Sequence, residues 1–295
     1  MRVLLIVSLA GGVWACAGGD SGVTRDGVTA TGGAGVEGSA LDSADADVAE
    51  ETGGDAFGDS SNAGIFSVGD PLDVDAGIGT GGNTGLVKDC GVLAARIRDF
   101  QQSHPDFQAF EGRDAYLGIV ADTLDSERKP IYAHTGATEQ TSGPEAFAQW
   151  YQDVAGVNQG FDVSIELEQV GDNLFVYDNS SFFPLDNLGF GNEGNEHNYH
   201  FTTEIHLEFV YNGGELFTFE GDDDLWLFVD GRLALDLGGL HEPTSGTVDM
   251  DEVAGDFGLE VGGTYNMDIF HAERRTVLSN FRVETNIKCI VPAPL

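Results

Sequence analysis

Beyond Gly160 the chain alternates apolar and polar residues with a period of two, the spacing that places every second side chain on one face of a β-strand. The segments FDVSIELEQV, NLFVYDNSSFFPL, TEIHLEFVY, ELFTFEG, LWLFV, RLALDL, TYNMDIFHAE and NFRVETNI read as strands, punctuated by GDN, DNLGFGNEGNE, NGGE, DG and GG. Asp230-Gly231, set between two apolar runs, predicts a two-residue hairpin in left-handed backbone geometry. So many short strands predict an all-β protein, an antiparallel β-sandwich or partly closed barrel, with one side of each sheet buried.

Two upstream stretches carry helical spacing instead. In CGVLAARIRDFQQSHPDF, Leu93, Ile97 and Phe100 fall on one helical face before Pro105 stops the run. In SGPEAFAQWYQDVAG, Ser142 can cap, Pro144 suits the first turn, and Phe147, Trp150, Tyr151 and Val154 form the stripe. Two short peripheral helices are therefore expected beside the sheets, within a globular domain spanning 88–295. Residues 17–87 differ sharply: they are Gly, Ser, Ala and acid, with Arg25 the one basic residue before Lys88. Such a composition cannot bury enough surface to offset the entropy of ordering, so the segment reads as a disordered acidic tether. Residues 1–16 read as an export signal: Met1-Arg2 is positive, Val3 to Trp14 is a short apolar run, and Val13-Trp14-Ala15-Cys16 resembles a lipobox, which would place a lipid on Cys16, with ordinary signal cleavage or retention as the alternative. The expected location is the bacterial cell surface or outer membrane, with the membrane reached only through that lipid, or secretion.

Charge and cysteine narrow the function. With 50 Asp plus Glu against 13 Lys plus Arg, a net charge of -37, nucleic acid is excluded as a partner and cations are favoured. Of three cysteines, lipidation of Cys16 leaves Cys90 and Cys289 as an even pair bracketing the globular region. In an oxidising compartment they can form a disulfide whose loop closure stabilises by on the order of 4 kcal/mol. Two free thiols are the alternative.

The candidate chemistry lies in FTFEGDDDLWLFVDGRLALDLGG, where Asp222, Asp223 and Asp224 stand together between two strand-like runs. Adjacent carboxylates repel by about 1 kcal/mol per pair even in a water-like dielectric. A hard divalent cation such as calcium reverses that sign when carbonyl and amide oxygens complete its shell. A solvated acidic turn in a very acidic chain is the plain alternative.

Phe217 to Gly239 together with FHAERRTVLSNFRVET, Phe270 to Thr285, resembles the fibro-slime domain, within the wider protective-antigen (PA-fourteen) group of β-sandwich modules. IRDFQQSHPDF, GIVADTLDSERKPIY and FAQWYQDV also resemble the start of that domain, so the likeness runs from about Cys90 to Ile290. The resemblance implies a calcium-dependent carbohydrate-binding or adhesive module whose partner is an extracellular glycan or surface polysaccharide. In the group's lectin members two aspartates joined by a cis peptide bond hold the ion, which also meets sugar hydroxyls. Counted back from Asp230-Gly231, the matching pair is Asp222-Asp223, with Asp223-Asp224 as the other register. Asn280, on the turn in Ser279-Asn280-Phe281, is the candidate amide ligand. Asp236 and His241 lie in a recurring part of the same pattern, and Gly238-Gly239 indicates a tight backbone approach.

Other chemistries find less. His197, His200 and His206 match no standard zinc spacing, and no nucleophile elbow, phosphate loop or dinucleotide fingerprint is present. The expectation is a protein that is not an enzyme. A structural matrix protein without sugar binding is the alternative, and a secreted glycosidase the third reading. For a sugar platform the sequence offers Trp226, Tyr199 and Tyr211.

Overall fold

The computed structural model describes residues 66–68, 90–276 and 278–294. Cys16, the signal-like segment and the rest of the expected tether lie outside the described residues. Two antiparallel sheets enclose one apolar core. The larger runs, in hydrogen-bonded order, β1 (Phe66–Val68), β5 (Asn158–Glu166), β2 (Val92–Phe100), β8 (Phe201–Val210), β13 (Thr264–Glu273), β10 (Asp224–Val229), β11 (Arg232–Leu237), β3 (Val120–Leu124) and β4 (Pro130–Tyr132), and β15 (Ile290–Pro292) also pairs with β8. The smaller runs β12 (Thr244–Asp249), β9 (Leu216–Gly221), β14 (Phe281–Thr285), β7 (Leu174–Asn179) and β6 (Glu168–Gly171).

Leu225, Leu227 and Val229 of β10 meet Phe217 and Phe219 of β9 and Phe281 and Val283 of β14 in that core. The residues between them, Trp226 and Phe228, face the opposite way into a second buried cluster with Phe107, Phe147, Trp150 and Phe270. The central strands of the larger sheet are thus covered on both faces, not one. That is why β10 is buried at every position and β8 at nearly all of them. The hairpin between β10 and β11 forms as the sequence predicts, with φ of 47° at Asp230 and 73° at Gly231.

Four local features differ from expectation. Residues 92–100 form strand β2, not a helix: Leu93, Ala95 and Ile97 alternate into the core, and a spacing of four satisfies either period. Phe100 departs from that alternation and joins the second cluster. Next, the Pro144 helix, α1, extends only over Pro144–Phe147, and its cap position is Gly143 without a side-chain bond. Ser142 instead donates its hydroxyl to the Pro105 carbonyl. A second helix, α2 (Met250–Phe257), arises where none was expected, capped by Asp249 accepting from the Asp251 amide and closed by Gly258 at φ 76°. Last, Phe66–Val68 lies within the expected tether yet pairs with Val163–Ile165 as an edge strand.

Cys90 and Cys289 are bonded, 199 residues apart in sequence. The bond joins the chain just before β2 to the chain just before β15, two strands that both pair with β8.

Candidate functional site

The aspartate triplet occupies the step from one sheet to the other: β9 of the smaller sheet ends at Gly221 and β10 of the larger begins at Asp224. The intervening Asp222-Asp223 peptide bond is cis. Each of the two carboxylates is held by a neighbour from its own side. β14 pairs with β9 so that Phe281 lies opposite Gly221, which brings the preceding Asn280 to Asp222. The Asn280 backbone N–H donates to Asp222 Oδ1 at 2.6 Å, and its amide Nδ2 donates to Oδ1 and Oδ2 at 3.2 and 3.1 Å. On the other side β13 pairs with β10 so that Ala272 lies opposite Asp224, and the Arg274 backbone N–H just beyond donates to Asp223 Oδ2 at 3.1 Å. The His271 ring Nε2 lies 3.0 Å from the Asp222 carbonyl oxygen.

Asp224 has a different task. It is fully buried, accepting from Arg274 Nε at 2.5 Å through Oδ2 and from the Gly239 N–H at 2.7 Å through Oδ1. Arg274 is fully buried too, donating to the Gln140 carbonyl at 2.7 Å and lying 5.0 Å over the Trp150 ring. Asp224 is therefore paired with Arg274 and, unlike Asp222 and Asp223, does not line the cleft. The pair facing a cleft is Asp222-Asp223.

That cleft encloses about 380 Å³. Its walls include Leu240, His241 and Pro243 on one side and Glu273 and Leu278 on the other, with Arg113, Glu242 and Arg275 also lining it. Gly239 positions the wall: at φ 100° its missing Cβ would come within 2.5 Å of the Tyr116 backbone nitrogen, the close approach the Gly-Gly pair indicates. Asp236, in the same stretch, bonds the Trp226 indole, Gly118 and Gly238 and so braces the wall from behind. His241 stands between the carbonyls of Leu237 and Glu242.

Glu273 is the site residue that sequence reasoning missed, although it stands inside the HAER stretch. It is 1% exposed, its Oε1 accepts from the Arg275 N–H at 3.2 Å, and Oε2 has no partner among the described residues. Burial, then the charges of Asp223 and Asp222, hold Glu273 well above the usual carboxylate range. Burial raises Asp222 as well, against the bonds from Asn280. For Asp223, burial first and the neighbouring Asp224 and Asp222 next push the carboxyl up to about 7, despite the pull of Arg274. No Lys or Arg forms an ion pair with Asp222, Asp223 or Glu273 among the described residues.

Hard oxygen donors in a desolvated cleft suit a calcium-type ion rather than a soft metal. Among the described residues no group of three or more His, Cys, Asp or Glu side chains converges as a closed cage. The fit is to a partial shell: the two carboxylates supply the donors, Asn280 orients Asp222 through its N–H groups without lining the cleft, and the remaining positions are left to carbonyls, water or a ligand's own hydroxyls.

The other candidates disperse. His197 stacks on Phe183 at 3.9 Å and bonds Asp186, His200 bonds Gln108, and His206 lies between Asp268 and Glu204. Trp226 is buried in the second cluster, Tyr211 donates to Asp251, and Tyr199 packs on Phe183; none of the three lines the cleft.

Residues 183–290 match the PA14 domain, a stretch that contains Asp222, Asp223, Glu273 and Asn280. The chain is similar to the protein psiD of Dictyostelium discoideum, 38% identical over 211 residues that make up 66% of this chain and 41% of that protein. It is similar also to psiC of the same organism, 35% identical over 213 residues, covering 66% of this chain and 40% of that protein. The chain thus spans less than half the length of these curated relatives. Among solved structures, the A domain of epithelial adhesin 6 from Candida glabrata, in complex with Galb1-3GlcNAc, aligns over 72% of this chain and 90% of that one at 15% identity. The TM-score of that alignment is 0.30.

Proposed function

We propose that the domain is a calcium-dependent carbohydrate-binding or adhesive module of the fibro-slime kind, with the ion held by Asp222 and Asp223 and supported by Asn280. One observation carries the reading. Two adjacent carboxylates face a single cleft, oriented by neutral N–H donors and lacking a paired side-chain cation. Burying such a pair is unfavourable unless a cation joins it. The partial shell leaves coordination positions for vicinal hydroxyls of an extracellular glycan. The match to the PA14 domain and the similarity to the psi proteins support an extracellular, non-enzymatic role. In this reading residues 1–16 direct export, Cys16 carries a lipid, and 17–87 tether the domain at the cell surface.

Thermal unfolding with calcium and with chelator tests the ion site. At a calcium concentration a hundredfold above Kd the ion stabilises by about 2.7 kcal/mol. The Asp222→Ala, Asp223→Ala double variant should abolish that shift, and an unchanged midpoint in the parent chain would remove the site. Glycan-array binding with and without chelator tests the rest. The cleft has no aromatic wall among its lining residues, which favours a second reading, a surface-matrix protein that binds calcium and no sugar. Calcium binding with a blank array would select that second reading.

A further inference from the structure

The arginines of the cleft are out of place in two ways. Ten basic residues lie among those described, and six of them form ion pairs: Arg96, Arg98, Arg128, Lys129, Arg274 and Arg282. Of the other four, Arg232 donates to the Asp256 carbonyl and Lys288 is exposed. The remaining two, Arg113 and Arg275, both line the cleft of Asp222 and Asp223. Neither pairs with Asp222, Asp223, Glu242 or Glu273, although all six side chains line one cleft and, among the described residues, acids elsewhere take up nearly every arginine. Arg275 is half-buried, and its Nε is buried without a hydrogen-bond partner among the described residues.

Two guanidinium groups beside a cation site weaken cation binding by like-charge repulsion. Their presence is accounted for if the ligand itself is an anion that lies between the ion and the arginines. Charge agrees: even if a bound divalent ion leaves all four cleft carboxylates ionised, that ion and the two guanidinium groups cancel them, so the loaded cleft does not repel an anion even in a chain of net charge -37. The planar guanidinium fork suits a carboxylate, which it can meet through two parallel N–H bonds. We propose that the ligand is an acidic saccharide, a sugar that presents vicinal hydroxyls to the ion and a carboxylate to Arg113 and Arg275. The proposal rests on the sugar-binding reading above and adds to it the charge of the sugar. Because the anion bridges ion and arginines, binding is mutual: calcium raises affinity for the acid, and the acid raises affinity for calcium by the same factor.

Titration calorimetry of the full chain tests this with matched methyl glycosides, galactose against galacturonic acid and glucose against glucuronic acid, in calcium and in chelator. In calcium the acid of at least one pair should bind about tenfold or more tightly than its neutral partner. Chelator should remove that binding. The Arg113→Gln, Arg275→Gln double variant should bring the acid-to-neutral ratio to one, while its calcium affinity without sugar rises because the repulsion is gone. Equal binding of acid and neutral sugars in calcium would overturn the proposal and leave the sugar-binding reading standing. Acid binding that persists in chelator would overturn it as well, since the arginines would then act without the ion. Calcium binding with no affinity for any of the four glycosides would overturn the proposal, and a blank glycan array in calcium would take the sugar-binding reading with it.

Discussion

Two sets of buried acids lie in different parts of the fold, one on the central strands of the larger sheet and one where the chain steps between the sheets, and the chain treats them differently. On the larger sheet, Glu204 of β8 and Asp268 of β13 are fully enclosed. Arg98 reaches Glu204 at 2.6 Å, Lys129 and Arg128 reach Glu204 and Asp268 from the β3–β4 turn, and His206 lies 2.6 Å from Glu204 and 2.5 Å from Asp268. In the cleft, Glu273 is as deeply buried and Asp222 and Asp223 nearly so, and none of the three forms an ion pair with Lys or Arg among the described residues. The protonation energetics diverge accordingly. Burial would raise Glu204, but the bond from His206 and the charges of Arg98 and Lys129 outweigh it and hold Glu204 at about 2. Burial wins in the cleft and carries Asp223 up to about 7. Glu204 thus has three basic side chains within ion-pair distance, whereas Asp222, Asp223 and Glu273 have none at that distance among the described residues.

The largest expected effect separates the two sets by stability. Glu204→Ala leaves Arg98, Lys129 and His206 buried around a missing anion and should cost about 3–5 kcal/mol in denaturant unfolding. The loss should be the same in calcium and in chelator. In chelator the Asp222→Ala, Asp223→Ala pair should cost far less, because it removes charges that nothing neutralises. A loss below about 1 kcal/mol for Glu204→Ala would show that the network contributes little and the contrast is false.

Much of this was legible in the sequence, and the failures have a common cause. The alternating runs, the Asp230-Gly231 turn, the Asp222-Asp223 pair and the Asn280 partner are local patterns or parts of one recognisable motif. Residues 92–100 were not legible because Leu93 and Ile97 are four apart, a spacing that a helix and a strand both accept. The second aromatic cluster and the Glu204 network were hidden because their contacts join residues far apart in the chain: Glu204 is 106 positions from Arg98 and 75 from Lys129. Glu273 carried only a weak signal, an acid in a motif beside an arginine. Nothing in the string HAER says that its carboxyl loses water and keeps a partner on one oxygen only, which depends on how β13 ends against the sheet step.

An intermediate effect appears as opposite responses to pH. Glu204 has a folded value of about 2 against an ordinary 4.5, so its contribution is present above 4.5 and lost as pH falls toward 2. His206 is raised from 6.5: burial opposes the shift, but the bonds to Asp268 and Glu204 prevail. Its contribution is present below 6.5 and lost as pH rises through the folded value. Asp223 is raised from 3.8 to about 7, so the folded state keeps a proton that the unfolded state releases, and stability falls as pH rises across that interval. Each pH unit over which one proton separates the two states changes stability by about 1.4 kcal/mol. In chelator the unfolding free energy should therefore decline from near pH 4 to near pH 7, and saturating calcium should remove most of that decline. Glu204→Gln should suppress the acid limb below pH 4.5 and leave the calcium-sensitive slope intact. A slope indifferent to calcium would mean that the cleft acids are not those that titrate.

The smallest expected effect is also the sharpest comparison, because one chemical change is made in both places. Glu204→Gln and Glu273→Gln each replace a buried carboxyl by an amide of nearly the same shape, so packing is held constant and only charge and hydrogen bonding change. At Glu204 the amide gives up the negative charge that Arg98, Lys129 and His206 require, and stability falls. At Glu273 the amide oxygen still accepts from the Arg275 N–H, and the buried oxygen that has no partner is exchanged for an NH2 group beside Asp222 and Asp223, to which it can donate. In chelator near neutral pH the Glu273→Gln chain should be as stable as the parent or more stable by no more than about 1 kcal/mol. With calcium present the gain should shrink, since the ion stabilises the parent cleft by neutralising the charges that the amide removes or screens. A loss of about 1–3 kcal/mol in chelator would mean that the Glu273 carboxyl already has a partner in the folded chain, and the distinction between the compensated and the uncompensated acids would fail at this residue.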